Sequence, residues 1–540
     1  MKKKNLLIIM CDQLRKDYLG CYGNEYVRTP NIDSIAKEAL KFDHCFVNNP
    51  ICMPNRMSIF TGMYPHSHNQ WTNGNQLEHP IPTLANHLAD NGYHTASIGK
   101  IHFECTDCGK DAPMISHEDT RRWKAMGDNV DWNGPYWGYQ HVEFTSGHAT
   151  TPLAHYGKWY HEHGGKDEWS KAVPVEGFDA CPVTTMPEKL HDSMFVGERS
   201  AAYITEHAKD EEPFFLVASF PDPHHPFQPP LETALRYKDV PVKMPVNEDD
   251  ELWDRPRRYR QMKYGVWHRA GLLHPLDNMT PEELGKVGKC ADIIAKFMDE
   301  KILAGLGLLT HGANESEKGK ASDDYVPTAI TPHERDQRIR NTYAMVDLID
   351  QGVGKILAAL KEQGIMENTT ILFISDHGEL MGDHGTWLKG PFFYDGLVNV
   401  PLIIRDPEHK PGTTDVLASS IDIYPTVCDL LGVPVPLSVQ GVSQTPAYEG
   451  KAARTECLIE YRNGYFENDD NTMVYIDEKY KFSQDQGGEF EMTDRINDPE
   501  ENINIVANGK NPELLAEYRN KMLSMVLKTG SKHPEQYCHA

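Results

Sequence analysis

The run Asn5-Leu6-Leu7-Ile8-Ile9-Met10-Cys11, followed at once by Asp12-Gln13, sets the reading of the whole chain. Apolar residues run unbroken from Leu6 to Cys11 with no polar alternation. That is the pattern of a strand covered on both faces, as the strands of a helix-flanked parallel sheet are. Thr370-Ile371-Leu372-Phe373-Ile374-Ser375 repeats the pattern and also ends in an acid, Asp376, with His377-Gly378-Glu379 after it. A third strand is predicted over 213–219, ending in Pro221-Asp222-Pro223-His224-His225-Pro226. A fourth, over 95–98, ends in Gly99-Lys100-Ile101-His102. In open α/β sheets ligands bind beyond the carboxyl ends of strands, so these four ends are candidate site positions.

Between the strands the apolar spacing turns to three and four. It predicts helices from Pro30 through Leu40, over 82–90, 194–207, 332–364 and 421–431, and a further strand over 400–404. Beyond Pro436 short strands dominate (456–461, 472–476, 479–482, 489–492), followed by a helix over 511–527. The expected fold is α/β: a large central, mostly parallel mixed sheet flanked by helices, plus a smaller C-terminal α+β subdomain with a short antiparallel sheet. The expected division is 1–436 and 437–540, with insertions at 103–187 and 231–332. The first insertion is rich in Trp, Tyr, His and Gly, as loops over a site are. The second carries Arg255, Arg257, Arg258, Arg260, Lys263 and Arg269 among Tyr259, Tyr264 and Trp267. The expectation favours pairing of this basic run with the chain's own acids over a grip on a polyanion or sugar.

The formal charge is −25 over 540 residues, which argues against nucleic acid or an anionic membrane as partner. Eleven cysteines without regular spacing do not form a secreted disulfide framework, and Cys105-x-x-Cys108 has no second pair to complete a zinc site. The Lys2-Lys3-Lys4 start resembles a leader, but its apolar run is short and has no small-residue cleavage site. No stretch is long enough to span a bilayer, and a cytoplasmic location is the default expectation.

The chemistry concentrates on Asn49-Pro50-Ile51-Cys52-Met53-Pro54-Asn55-Arg56-Met57-Ser58. Ile59-Phe60-Thr61-Gly62 reads as the body and stop of a helix, which places Cys52 at a helix N-terminus. There free N–H groups favour negative charge, so the thiol is either an activated nucleophile or the precursor of something more reactive. The alternative is a packed thiol. Asp12, Gln13, Asp376 and His377, at the ends of two strands, offer carboxylate, amide oxygen and imidazole to one divalent cation. Oxygen-rich ligation suits Ca²⁺ or Mg²⁺, and the imidazole admits Mn²⁺ or Zn²⁺.

In these ordered motifs the chain resembles the sulfatases, the formylglycine-dependent branch of the alkaline phosphatase superfamily. Asp12-Gln13 resembles the opening metal motif, and Cys52-Met53-Pro54-Asn55-Arg56 the signature whose cysteine becomes formylglycine. Gly99-Lys100-Ile101-His102, Pro223-His224-His225-Pro226 and Ser375-Asp376-His377-Gly378-Glu379, with Gly385 and Lys389 downstream, are similar to the remaining elements; so is the Asn497–Glu501 turn. Asn55 stands where the family usually has Ser. Gln13 stands where many sulfatases have Asp, a feature similar to choline sulfatases and phosphonate monoester hydrolases.

The resemblance implies hydrolysis of a small-molecule or saccharide sulfate ester, with a phosphonate monoester or phosphodiester as the alternative substrate. Failing both, it implies a non-catalytic anion binder with Cys52 left as a thiol. It implies Asp12, Gln13, Cys52, Asp376 and His377 around one divalent metal, Ca²⁺ first and Mn²⁺ or Zn²⁺ next, and a maturation enzyme that oxidises Cys52. It implies Lys100 and Lys389 on the oxyanions, His224 as proton donor to the leaving alcohol, and His102 with Arg56 promoting release of the bound anion. Oligomeric state is left open, a homo-oligomer included.

Overall fold

The computed structural model describes residues 3–530 apart from 76, 78–80, 107, 109–115, 148–150, 251, 253, 257, 260–329 and 464–469. Its centre is an eight-stranded sheet. The strands are β1 (Asn5–Cys11), β2 (Leu40–Phe46), β3 (His94–Gly99), β4 (His141–Phe144), β7 (Phe214–Phe220), β8 (Thr369–Ser375), β9 (Leu402–Arg405) and β10 (Gly412–Ser419). A two-stranded hairpin, β5 (Ala172–Val175) and β6 (Phe178–Thr184), lies apart from it. The order is β10-β2-β9-β8-β1-β7-β3-β4, and β9 alone runs against its neighbours. β1, β7 and β8 are buried along their full length, as their unbroken apolar runs require.

Register decides where the site lies. Cys11 pairs with both Phe220 and Ser375, and Gly99 with Ser219. Asp12, Lys100, Asp222 and Asp376 therefore leave the sheet at one edge, each within a residue or two of a strand end.

The helix Pro332–Glu362 packs on the sheet beside the helix Asp192–His207. Their contact passes through glycine: a Cβ on Gly197 would stand 2.6 Å from the Gly352 backbone. Neither position tolerates a side chain without parting the helices.

The C-terminal sheet is antiparallel, β11 (Glu456–Asn463), β12 (Asp470–Asp477), β13 (Tyr480–Asp485) and β14 (Phe490–Asp494) in that order, covered by the helix Pro512–Lys528. Its core of Leu458, Tyr475, Phe482, Met492, Val506, Tyr518 and Met525 also takes in Tyr64 and Ile421 of the larger unit. β11 docks on the segment leading into Cys52, where Glu460 N–H donates to Asn48 O at 2.8 Å and Asn49 Nδ2 donates to Glu460 O at 2.8 Å.

Three expectations change. The helix from Pro30 stops at Lys37, and Leu40 opens a strand instead. The 103–187 stretch is not only loop over a site, since β4 lengthens the central sheet and pairs with β3. β10 has no counterpart among the strands expected from sequence. Of the basic run, Arg255 pairs with Glu491 at 2.8 Å and Arg258 with Asp485 at 2.9 Å, both acids of the C-terminal sheet. Arg257, Arg260, Lys263, Tyr264, Trp267 and Arg269 lie outside the described residues. Among the described residues no helix is long and apolar enough to cross a membrane.

Candidate active site

Cys52 is the first residue of the helix Cys52–Thr61, every residue of which is buried and which Gly62 stops in the left-handed conformation. Residues four apart share a helix face, so Cys52 and Arg56 point the same way. Around the Cys52 Sγ stand Lys389 Nζ at 3.1 Å, His377 Nε2 at 3.1 Å and Asp12 Oδ1 at 3.5 Å. All four side chains are fully buried. Burial, then Asp12, pushes the Cys52 thiol up to about 12 against the pull of Lys389 and Lys100. Of the two readings of a thiol at a helix start, the activated thiolate is the one this environment disfavours. Desolvation outweighs the helix terminus.

The charges here are balanced by close pairing, as buried charges must be. Arg56 Nε donates to Asp376 Oδ2 at 2.6 Å, and its Nη2 lies 3.4 Å from Asp12 Oδ2. Its remaining nitrogen donates to Lys100 O at 2.7 Å and Ser219 Oγ at 3.0 Å. The Arg56 fork is thus spent on the acids and on the β3 and β7 ends, and no contact with His102 is among its bonds. Lys100 Nζ pairs with Asp12 Oδ2 at 2.6 Å. Burial works to raise the Asp12 carboxyl, but Lys100 and Arg56 overcome it and hold the group well below the usual range. Lys100 reaches this place because Gly99, at φ 108°, lets its neighbour's N–H bond Ser219 O at 3.0 Å; a Cβ there would fall 1.8 Å from that oxygen.

The donor set fits a divalent cation. Asp12, Cys52, Asp376 and His377 each place one ligand atom within 4.8 Å of the others. The His377 Nδ1–H is engaged by Gly378 O at 2.7 Å, which leaves the Nε2 lone pair toward the carboxylates. Burial lowers the His377 pKa, favouring the neutral imidazole a metal needs. Gln13 donates its amide nitrogen to the Glu379 carboxylate, turning Oε1 toward Lys389 Nζ, 3.4 Å away. Asn55 occupies a structural place: Asn48 N–H donates to its oxygen at 2.8 Å, and its nitrogen donates to Asp376 O at 2.5 Å and Ser420 Oγ at 3.2 Å.

His224 Nε2 lies 2.8 Å from Lys389 Nζ, and its Nδ1 is engaged by His225 O at 2.5 Å. In this arrangement Lys389 donates and the imidazole accepts. His102 is buried, and its Nδ1 has no hydrogen-bond partner among the described residues. Burial, then Lys100 and Arg56, drives its pKa well down. The structure thus gathers Asp12, Gln13, Cys52, Arg56, Lys100, His224, Asp376, His377 and Lys389 through direct contacts, and places His102 beside them in the field of Lys100 and Arg56.

Two residues given no role from sequence brace this group, Glu379 at the end of the Ser375–Glu379 motif and Arg15 beyond Asp12-Gln13. Glu379 accepts from Gln13, from Met381 N–H at 3.0 Å and from Leu388 N–H at 2.5 Å, next to Lys389. Arg15 donates to Glu379 O and Leu380 O, each at 2.9 Å, and to Asp383 at 2.7 Å. Their adjacency to Asp12-Gln13 and Asp376-His377 was the available signal. A second cluster, His191, Asp192 and Asp222, lies under the His224 loop. His191 Nδ1 sits 3.0 Å from Asp192 and 3.5 Å from Asp222, and these carboxylates overcome burial to raise the imidazole to about 9. The acids of this cluster pair with His191, while His191 Nε2 and Asp222 Oδ1 have no hydrogen-bond partner among the described residues.

The family model described as "Sulfatase" matches residues 4–433, and the model "N-sulphoglucosamine sulphohydrolase, C-terminal" matches 382–528. An arylsulfatase of Clostridium perfringens is 28% identical over 538 residues, covering 96% of this chain and 94% of its own. A multifunctional alkaline phosphatase superfamily protein of Trinickia caryophylli is 27% identical over 576 residues, covering 99% and 98%. In fold, the chain superposes on the phosphonate monoester hydrolase of Silicibacter pomeroyi with a TM-score of 0.72 at 20% identity, covering 98% and 96%.

Proposed function

The chain belongs to the sulfatase family and is a sulfuric ester hydrolase, and we propose that it cleaves a sulfate monoester at residue 52 in its formylglycine form. The observation that carries this reading is the convergence of Lys389, His377 and Asp12 on one buried Sγ that is itself a poor nucleophile. Oxidised to formylglycine and hydrated, residue 52 supplies one hydroxyl to attack sulfur and a second whose deprotonation releases the bound sulfate. A divalent cation held by Asp12, Gln13, Asp376 and His377, Ca²⁺ first among the candidates, supplies Lewis-acid stabilisation of charge.

The chain's own residues do the rest. Lys389 and Lys100 bind the sulfate oxygens and offset the charge that gathers on them in the transition state. His224 takes a proton from Lys389, its partner at 2.8 Å, and passes it to the leaving oxygen. His102, whose Nδ1 has no hydrogen-bond partner among the described residues, is the acceptor we assign to the proton of the second hydroxyl. Arg56 acts through Asp12 and Asp376, holding both carboxylates in place. The substrate is a small-molecule or saccharide sulfate ester, and the match of the C-terminal region to a sulphoglucosamine sulphohydrolase model supports a sugar. The 103–187 and 231–332 segments are the candidates for choosing the leaving group, and 1–436 with 437–540 is the division we adopt.

Gln13 supports a second reading, a phosphonate monoester or phosphodiester hydrolase, because its neutral oxygen replaces an acid at the metal. Matched 4-nitrophenyl sulfate and phosphonate monoesters decide between them: sulfate is expected to give the higher kcat/KM, and a large phosphonate preference overturns the first reading. Mass spectrometry of the Cys52 peptide is expected to show the aldehyde, whereas an intact thiol favours the anion binder. For His224→Ala, kcat on an alkyl sulfate should fall by about 10²–10⁴-fold, and distinctly less on 4-nitrophenyl sulfate, whose leaving group needs no proton. Equal losses on both would remove the proton-donor role.

A further inference from the structure

Residues 101–104 form no regular element, yet they carry His102 from the end of β3 into the site. His102 has φ 60°, a conformation that a residue with a side chain holds only when its surroundings enforce it. Buried backbone N–H groups must find acceptors. Those of His102, Phe103 and Glu104 all go to one carboxylate, Glu118, at 2.6, 2.7 and 3.1 Å. Tyr136 OH adds a fourth donor at 2.7 Å. Glu104 answers in the opposite direction, its carboxylate accepting His117 N–H at 2.7 Å and Trp137 Nε1–H at 3.0 Å. The 102–104 and 116–118 stretches are therefore clasped from both sides.

Successive N–H groups turned to one point make an anion-binding concavity, and here the chain fills it with its own acid. Glu118 is buried, and burial pushes its pKa up to about 7 against the pull of Tyr136 and the amides. Its carboxylate is committed to these four donors, which belong to the 102–104 backbone and to Tyr136 and not to the metal-ligand candidates.

We propose that Glu118 is a positioning residue of the hydrolytic reaction, holding the backbone from which the His102 imidazole serves residue 52. The inference rests on the proton-accepting role of His102 in the proposed function. It assigns to the 103–187 segment a part in turnover and not only in selecting the leaving group.

The Glu118→Gln variant keeps the shape and replaces one acceptor oxygen by an NH₂ that faces N–H donors. kcat and KM on 4-nitrophenyl sulfate are measured with intact enzyme, normalised to the formylglycine content of the residue 52 peptide. The measurement is made in the wild-type and His102→Ala backgrounds. The expected result is a fall in kcat of about tenfold or more with little change in KM in the first background. In the second, where His102 is already gone, the expected further fall is less than about twofold. Tyr136→Phe, which removes a single donor, should show the same dependence on His102 with a smaller effect. Equal losses in both backgrounds, or kcat unchanged by Glu118→Gln, overturn the proposal. A wild-type enzyme inactive on sulfate esters would instead defeat the reading of the activity. Hydrogen exchange at the 102–104 amides then still decides the clasp: faster exchange in Glu118→Gln upholds it and unchanged exchange overturns it.

Discussion

Replacing Cys52 by alanine is expected to lower kcat/KM on sulfate esters by about 10⁴-fold or more, the scale seen when a covalent nucleophile is removed. The protein should remain folded, since the change deletes one buried sulfur and costs about 1–2 kcal/mol at most. Cys52→Ser is the sharper variant. A serine hydroxyl can attack sulfur but has no second hydroxyl on the same carbon with which to expel the sulfate. Product release should therefore stop near one equivalent per enzyme, and the residue 52 peptide should carry a sulfate by mass spectrometry. Continued turnover of Cys52→Ala at the wild-type rate would sink both the sulfatase and the phosphonate hydrolase readings, because each needs a covalent ester at residue 52.

Asp376→Asn is expected to have the largest effect on stability. Asp376 accepts from Arg56 at 2.6 Å, and both are wholly shielded from water. Neutralising the acid leaves the guanidinium with only Asp12, at 3.4 Å, to offset its charge. Breaking a buried pair in this way costs about 3–5 kcal/mol, read as the shift of the urea unfolding curve. Turnover should be lost at the same time, because a metal donor is gone. The double variant Asp376→Asn with Arg56→Met separates the two effects: stability should return in large part and activity should not. If the single variant unfolds at the wild-type urea concentration, Arg56 is not the brace of both acids.

Acid should act on the same network. Asp12 is held below its ordinary pKa by Lys100 and Arg56 despite its burial. Its contribution to stability is therefore full above about pH 4, the unfolded carboxyl value, and is lost as pH falls further toward the depressed folded value. The Asp12 pairing should accordingly add no pH dependence to unfolding between neutral pH and pH 5, a point that pH-dependent urea titrations of the wild type and Lys100→Met check. The Lys100 variant should lose stability at neutral pH and come closer to the wild type in acid.

Much of this molecule is written locally. Apolar runs without alternation mark β1 and β8 because a strand covered on both faces needs such a run, and acids directly after them mark the site. Cys52 and Arg56 are legible together because their spacing is one helical turn. The C-terminal strands show themselves through short runs separated by turn residues. β2 is hidden because Lys41, Asp43 and His44 interrupt its apolar residues, so the preceding helix pattern runs on into Leu40. β10 starts with Gly412-Thr413-Thr414-Asp415 at the sheet edge, where half-exposed positions carry no strong apolar signal.

By itself, then, the sequence determined the sheet-centred fold, the order of the motifs and the residue types available for chemistry, since unbroken apolar runs and helical spacing are properties of neighbours along the chain. Tertiary structure alone decided which atoms meet. The approach of Lys389 to Cys52 and His224, the commitment of Arg56 to two acids, and the reach of Glu118 back to His102 depend on strand register and loop closure between distant segments. It also decided that the thiol at the helix start is pushed up, because the desolvation that overrides the helix terminus comes from segments distant in sequence that pack around it.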